Sequence, residues 1–155
     1  MPGHLRSRVM QSQLWPLLFV IPALTACDNL PHDASGSTDR IARSGEMRIV
    51  VMPGTPDAAP ALAVVGDYAE RHNARLVRVA AHGDHALHWL EEGKVDAVIG
   101  HFAKASPWQA EVALSKPVGR SEPDDGKQPV LRLARRNGEN ALILATDRAI
   151  AESAK

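Results

Sequence analysis

The 155-residue chain has one cysteine, Cys27, so it contains no internal disulfide. It has no net charge, because 18 Lys+Arg balance 18 Asp+Glu, and no basic footprint marks it for nucleic acid. Its uncharged apolar run, residues 14–26, is too short to span a bilayer as a helix. It has no Gly-x-Ser-x-Gly nucleophile elbow and no carboxylate pair in a glycosidase-like setting, so nothing supports an enzyme. Aromatics make up only 4% of the residues, and Trp89 and Trp108 are the large ones beyond Cys27.

What is present begins with a leader. His4, Arg6 and Arg8 form a positive start, the apolar run follows, and Ala26 is a small residue before Cys27. This order is that of a secretory signal peptide. Leu24-Thr25-Ala26-Cys27 resembles the bacterial lipobox, in which the signal is cut before the Cys and that Cys is acylated. The resemblance implies a lipoprotein attached to membrane lipid through Cys27, with several acyl chains exceeding what stable anchoring needs. The other readings are an ordinary cleaved signal or a small buried thiol. Asp28 resembles the signal that keeps enterobacterial lipoproteins at the inner membrane, which implies the periplasmic side of that membrane. Removal of residues 1–26 leaves 129 residues with a formal charge of about −2.

Residues 28–39 (DNLPHDASGSTD) are polar, with Pro, Gly and Ser and no apolar periodicity. They read as a flexible tether, making 27–39 a lipidated spacer and 40–155 a single folded lobe. In the lobe, 47–52 (MRIVVM) reads as a buried strand and 57–75 as a helix, with Asp57 as a cap and Pro60 in the first turn. A second strand is expected at 76–80, a short helix at 84–92 stopped by Gly93, and a third strand at 95–100. Residues 112–118 read as extended, 119–128 as a loop, 129–134 as a strand and 140–155 as a closing helix. Alternating strands and helices predict an α/β fold, a three-layer lobe with a mainly parallel sheet.

Several phrases, taken in order, resemble one family. "IARSGEMRIVV" (41–51), "ALHWLEEGKVDAVIG" (86–100), "VALSKPVG" (112–119) and "VLRLARRNGENALILATDRAIAESA" (130–154) resemble the first lobe of bacterial extracellular solute-binding proteins of family 3, the polar amino acid type. The resemblance implies the type II periplasmic binding protein fold and binding or sensing of a small solute for a membrane system, such as an inner-membrane ABC transporter permease. Two departures matter. The family has a second lobe between the two hinge strands, and here only the loop 119–128 stands there, so the second lobe is missing. The family's amino acid binders also carry a "T-x-x-R" arginine that clamps the ligand carboxylate, and the matching position here is Trp108.

In a parallel α/β sheet, ligands sit beyond the carboxyl ends of the strands. Candidate ligand-binding residues there are Gly54, Thr55, His82, His101 and Trp108. Gly54 and Thr55 precede a helix amino terminus, suited to an anion, or simply make a tight turn. Trp108 either stacks on a ligand or partner, or packs under the hinge segment. His82, His85 and His101 could converge as a metal site, since neutral imidazoles suit zinc, copper or nickel; the other reading is solvated histidines. His88 shares a helix face with His85 but lies a turn further on. No cofactor is implied. The function expected is solute binding without catalysis. The alternatives are a protein-interaction module of an inner-membrane complex and a metal-binding lipoprotein. Replacing Cys27→Ala tests the attachment: the precursor is expected to persist unprocessed on gels, and a normally matured, soluble product would refute lipidation.

Overall fold

The computed structural model describes residues 32–119 and 125–154. The leader at 1–26, Cys27 and the first part of the expected tether, 28–31, lie outside the described residues, as do 120–124 in the loop 119–128.

The fold begins with helix α1 (Ser37–Ser44), followed by strand β1 (Glu46–Val51), helix α2 (Ala59–Arg71) and strand β2 (Arg75–Arg78). Helix α3 (Asp84–Glu91) leads to strand β3 (Ala97–Phe102), then to a 3-10 turn (Pro107–Ala110) and strand β4 (Val112–Leu114). Strand β5 (Val130–Arg136) and helix α4 (Asn140–Ser153) close the lobe. The five strands form one sheet in the order β2-β1-β3-β5-β4. β1 runs parallel to β2 and β3, whereas β5 runs antiparallel to both β3 and β4. The sheet is therefore mixed rather than mainly parallel. The reason is topological: among the described residues no crossover helix stands between β4 and β5, and a parallel pairing needs one.

Strand alternation sorts the side chains into two cores. Met47, Ile49, Ala97, Ile99, Leu131 and Leu133 face α1, α2 and α4, where they meet Ile41, Val65, Tyr68 and Leu142. Val50, Val98 and Ala134 face the other way, onto Leu87 and Leu90 of α3 and Val112. Helix α2 ends four residues before the expected 75. Asn73 adopts a left-handed conformation (φ 54°), and the Ala74 amide returns to the Ala69 carbonyl at 2.8 Å. This is the helix-ending geometry that Asn or Gly permits.

The folded part starts earlier than Arg40, the expected boundary. The segment from Asp33 is docked rather than free, because two carboxylates seize its backbone. Glu139, fully buried, accepts from the amides of Ser35 (3.0 Å) and Ser37 (2.9 Å) and from Arg136 (2.8 Å). Asp33 reaches across in return. One of its oxygens accepts from the amides of Ala141 (2.7 Å) and Leu142 (3.2 Å), and the other from the Thr38 amide (2.8 Å) and hydroxyl. A single carboxylate thus caps α1 and α4 together, which matters because neither helix has a side-chain cap at its own N-cap residue. The Thr38 hydroxyl also meets the Tyr68 hydroxyl at 2.7 Å, and burial pushes the Tyr68 pKa up to about 12.

Asp96 makes a second tie at this end of the sheet. It accepts from the Arg48 amide (2.7 Å) and pairs with Arg40, joining α1 to β1 and β3. Asp96, in the 86–100 phrase of the sequence, is thereby given a structural task. Past β4 the chain still follows β5: the Ser115 amide donates to the Leu133 carbonyl (2.9 Å), the Leu133 amide donates to Ser115 Oγ (3.0 Å), and the Val118 amide donates to the Leu131 carbonyl (2.9 Å). The two hinge-like segments thus lie side by side in one sheet.

Burial opposes ionisation of Glu139, but the bonds from Arg136, Ser37 and Ser35 overcome it and hold its pKa at about 2. A depressed carboxyl pKa stabilises the fold above the ordinary value near 4.5, and that stabilisation is lost as the pH falls from there toward 2. Its size is on the order of 3 kcal/mol. Glu139→Gln is expected to lower stability at pH 7 by about 2–3 kcal/mol in urea melts, the gap to the parent narrowing as the pH falls from 5 to 2. Equal stability at pH 7 would refute this role.

Candidate functional site

Because β1, β2 and β3 run parallel, their carboxyl ends share one edge of the sheet. The loops 52–58, 79–83 and 103–106 leave from it, and the segment 115–119 and the start of β5 arrive at it. Gly54 sits in the first of these loops with φ 78° and open space around it, and Thr55 is buried. Helix α2 starts at Ala59, so Gly54 and Thr55 form the turn ahead of the helix and do not cap it.

His101 is the fifth residue of β3, and its side chain emerges on the α2 face. There its Nε2 lies 2.9 and 3.0 Å from the two carboxylate oxygens of Asp57. Asp57 was expected to cap α2, but Ala58 occupies the cap position without a side-chain cap. The Asp57–His101 pair lines a cavity of about 220 Å3 with Pro60, Val118, Gly119 and Pro129. The cavity opens where the strands end, beside Val118 and Gly119. Its wall holds an ion-pairing carboxylate, an imidazole and apolar surface, a set that fits a small polar molecule with a hydrogen-bonding or cationic end.

The three-histidine cluster does not form. Among the described residues no group of three or more His, Cys, Asp or Glu side chains could hold a metal ion. Strand alternation explains this. Residue 101 points to the α2 face, whereas α3, which carries His85 and follows His82, covers the opposite face. His82 and His85 are exposed, and His88 pairs with Glu91 at 3.1 Å.

Trp108 lies in the 3-10 turn, where Ser106 Oγ accepts from its amide at 3.4 Å. Its ring is half-buried against the second core and meets His88 edge-on at 5.2 Å. It therefore packs beneath the hinge-like segment and does not line the Asp57–His101 cavity. Large exposed apolar side chains are also lacking at the open edge among the described residues. The exposed large hydrophobic among the described residues is Leu144, on α4. Among the described residues the edge thus carries no exposed large apolar side chain.

Sequence reasoning found His101 but missed its partner. The signal was available: 97–102 alternates, which sends 101 to the same face as 97 and 99, and the loop before α2 covers that face.

The mixed five-stranded sheet with helices on both faces is the fold of a solute-binding-protein lobe. Among solved structures the chain is similar to the arginine-bound form of domain 1 of the T. maritima arginine-binding protein. Identity is 18% and the TM-score 0.60, with 74% of this chain and 98% of that one covered. A single-substitution variant of that domain, also arginine-bound, matches with the same identity and TM-score over 74% of this chain and 96% of that one. A truncated, arginine-bound form of the T. maritima protein matches at 13% identity and a TM-score of 0.56, over 74% of this chain and 99% of that one. No protein-family model matches the chain, and no curated protein matches it.

The edge is tightly built behind the first loop. A Cβ on Gly100 would stand 2.9 Å from Met52 Cγ and 3.2 Å from Phe102 Cε2. Gly100→Ala is expected to cost about 1–3 kcal/mol through overpacking. Thermal melting reads this as a lower midpoint, and an unchanged midpoint would show that Met52 gives way freely.

Proposed function

We propose that this protein is a lipid-anchored, single-lobe solute-binding module on the periplasmic side of the inner membrane, binding or sensing a small solute for a membrane system such as a permease, without catalysis. The observation that carries the reading is the open carboxyl edge of a solute-binding lobe, with the Asp57–His101 pair lining a small cavity there. A lone lobe buries less of a ligand than two lobes closing over it. The T. maritima comparison speaks to that concern, since domain 1 of that protein is described in an arginine-bound form. In this reading Asp57 and His101 hold the polar end of the solute, with Pro60, Gly119 and Pro129 around them. The cavity of about 220 Å3 suits a ligand of amino-acid size or smaller. Lipid attachment at Cys27 rests on the lipobox-like sequence, and inner-membrane retention on Asp28.

Thermal melting of residues 28–155 against arginine, other amino acids and small amines tests the reading. A ligand at a hundred times its dissociation constant is expected to stabilise by about 2.7 kcal/mol. That shift is expected to vanish in Asp57→Ala plus His101→Ala. No shift with any of these solutes would refute solute binding at the edge and favour a protein-interaction module.

A further inference from the structure

The Asp57–His101 cavity offers a solute an acceptor carboxylate and few donors. Among the described lining residues, Asp57 and His101 alone carry hydrogen-bonding side chains. The rest of the wall is Pro60, Val118, Gly119, Pro129, Val130 and Leu131. The backbone adds little, because the two prolines have no N–H and the Val118 amide is spent on the Leu131 carbonyl at 2.9 Å.

Strand alternation keeps the nearest arginine out of the cavity. Leu131 packs in the core beneath α2, so Arg132 turns to the opposite side of the sheet. There its guanidinium donates to the Phe102 carbonyl (3.1 Å) and the Ser115 carbonyl (2.5 Å). Trp108, at the position of the clamp arginine, packs on that opposite side as well. The imidazole of His101 directs its Nε2 at Asp57. A solute carboxylate entering the cavity therefore meets a like charge and finds no ammonium or guanidinium among the described lining residues. It gives up water without gaining bonds in return. A solute ammonium or guanidinium meets the reverse situation. It brings donors only, and a carboxylate has roughly four lone-pair sites, so it shares Asp57 with the imidazole and need not displace it. The proline, valine and leucine walls favour a short aliphatic stem over water.

We infer that the solute class of this site is a small aliphatic amine or guanidine without a carboxylate, rather than an amino acid. The inference rests on the solute-binding reading and narrows it from any small polar solute to one that is cationic at one end and apolar along its stem. The cavity of about 220 Å3 admits such a molecule with its charge at Asp57 and its stem against Pro60, Val118 and Pro129.

Calorimetric titration of the full chain with matched pairs tests this: butylamine against norvaline, and agmatine against arginine. The members of each pair differ by one carboxylate. The amine of each pair is expected to bind about tenfold or more tighter than the amino acid. Asp57→Asn keeps the shape and removes the charge, and it is expected to weaken butylamine about tenfold or more while leaving the melting midpoint of the ligand-free protein near that of the parent. Asp67→Asn, which removes an exposed carboxylate on α2, is expected to leave butylamine binding unchanged. Three outcomes overturn the inference: amino acids that bind as tightly as their amines, amine binding that Asp57→Asn leaves intact, or amine binding that Asp67→Asn weakens equally. Amino acid binding without a preference for the amine, lost in Asp57→Ala plus His101→Ala, removes this inference and leaves the proposed function standing. No saturable binding of any of the four overturns both.

Discussion

The lobe depends on two carboxylates that close it at one corner. Glu139 is buried and takes three donors, two of them amides of the arriving chain. Asp33 answers from that chain by capping α1 and α4 together. Each satisfies backbone groups that the other's segment leaves exposed. The Asp33–Glu139 bridge and the Ala34–Gly138 hydrogen bond at 2.9 Å tie the same corner. Without it the first and last helices would both begin with bare amides over the larger core.

This corner bears on how one lobe stands by itself. The two hinge-like segments, 112–118 and β5, pair along their length through Ser115 and Val118. Arg135 anchors the same strand from the other face. It is buried, and it donates to Thr146 Oγ1 (2.7 Å) and Asp147 (2.5 Å) of α4 and to the Ala113 carbonyl (3.3 Å) of β4. A buried cation is costly unless it is paired and hydrogen-bonded, and here it is both. The polar residues of β5 thus lock the returning strand between β3, β4 and α4, and the short loop need only close the connection.

Much of this was legible in the chain. The runs at 47–52 and 95–100 carry their strands through β-branched and apolar residues, and Gly93 marks its helix stop with φ 71°. Two things were not legible, for physical reasons. The segment 33–39 has no apolar periodicity, so it resembles a spacer; what orders it is hydrogen bonding to Glu139, a residue a hundred positions away. Side-chain direction at the strand ends also decides more than proximity in sequence. His82 in a loop, His85 on α3 and His101 near the end of β3 come from neighbouring elements, yet alternation puts His101 on the far face, beside Asp57.

The corner at Asp33 lies where β1 and β3 begin, and the open edge lies where they end. The chain is therefore held at one pole and open at the other. With Cys27 as the anchor of the proposed attachment, the span to Asp33 reaches at most about 20 Å. The lobe itself is on the order of 35 Å across. Under the proposed attachment that strap would be shorter than the body it holds, which would favour the open pole facing the solution. Bringing that pole down to a neighbour in the same membrane would mean peeling Asp33 to Thr38 away from Glu139 and from the start of α4. Under that attachment, the latch that completes the fold would also set its attitude.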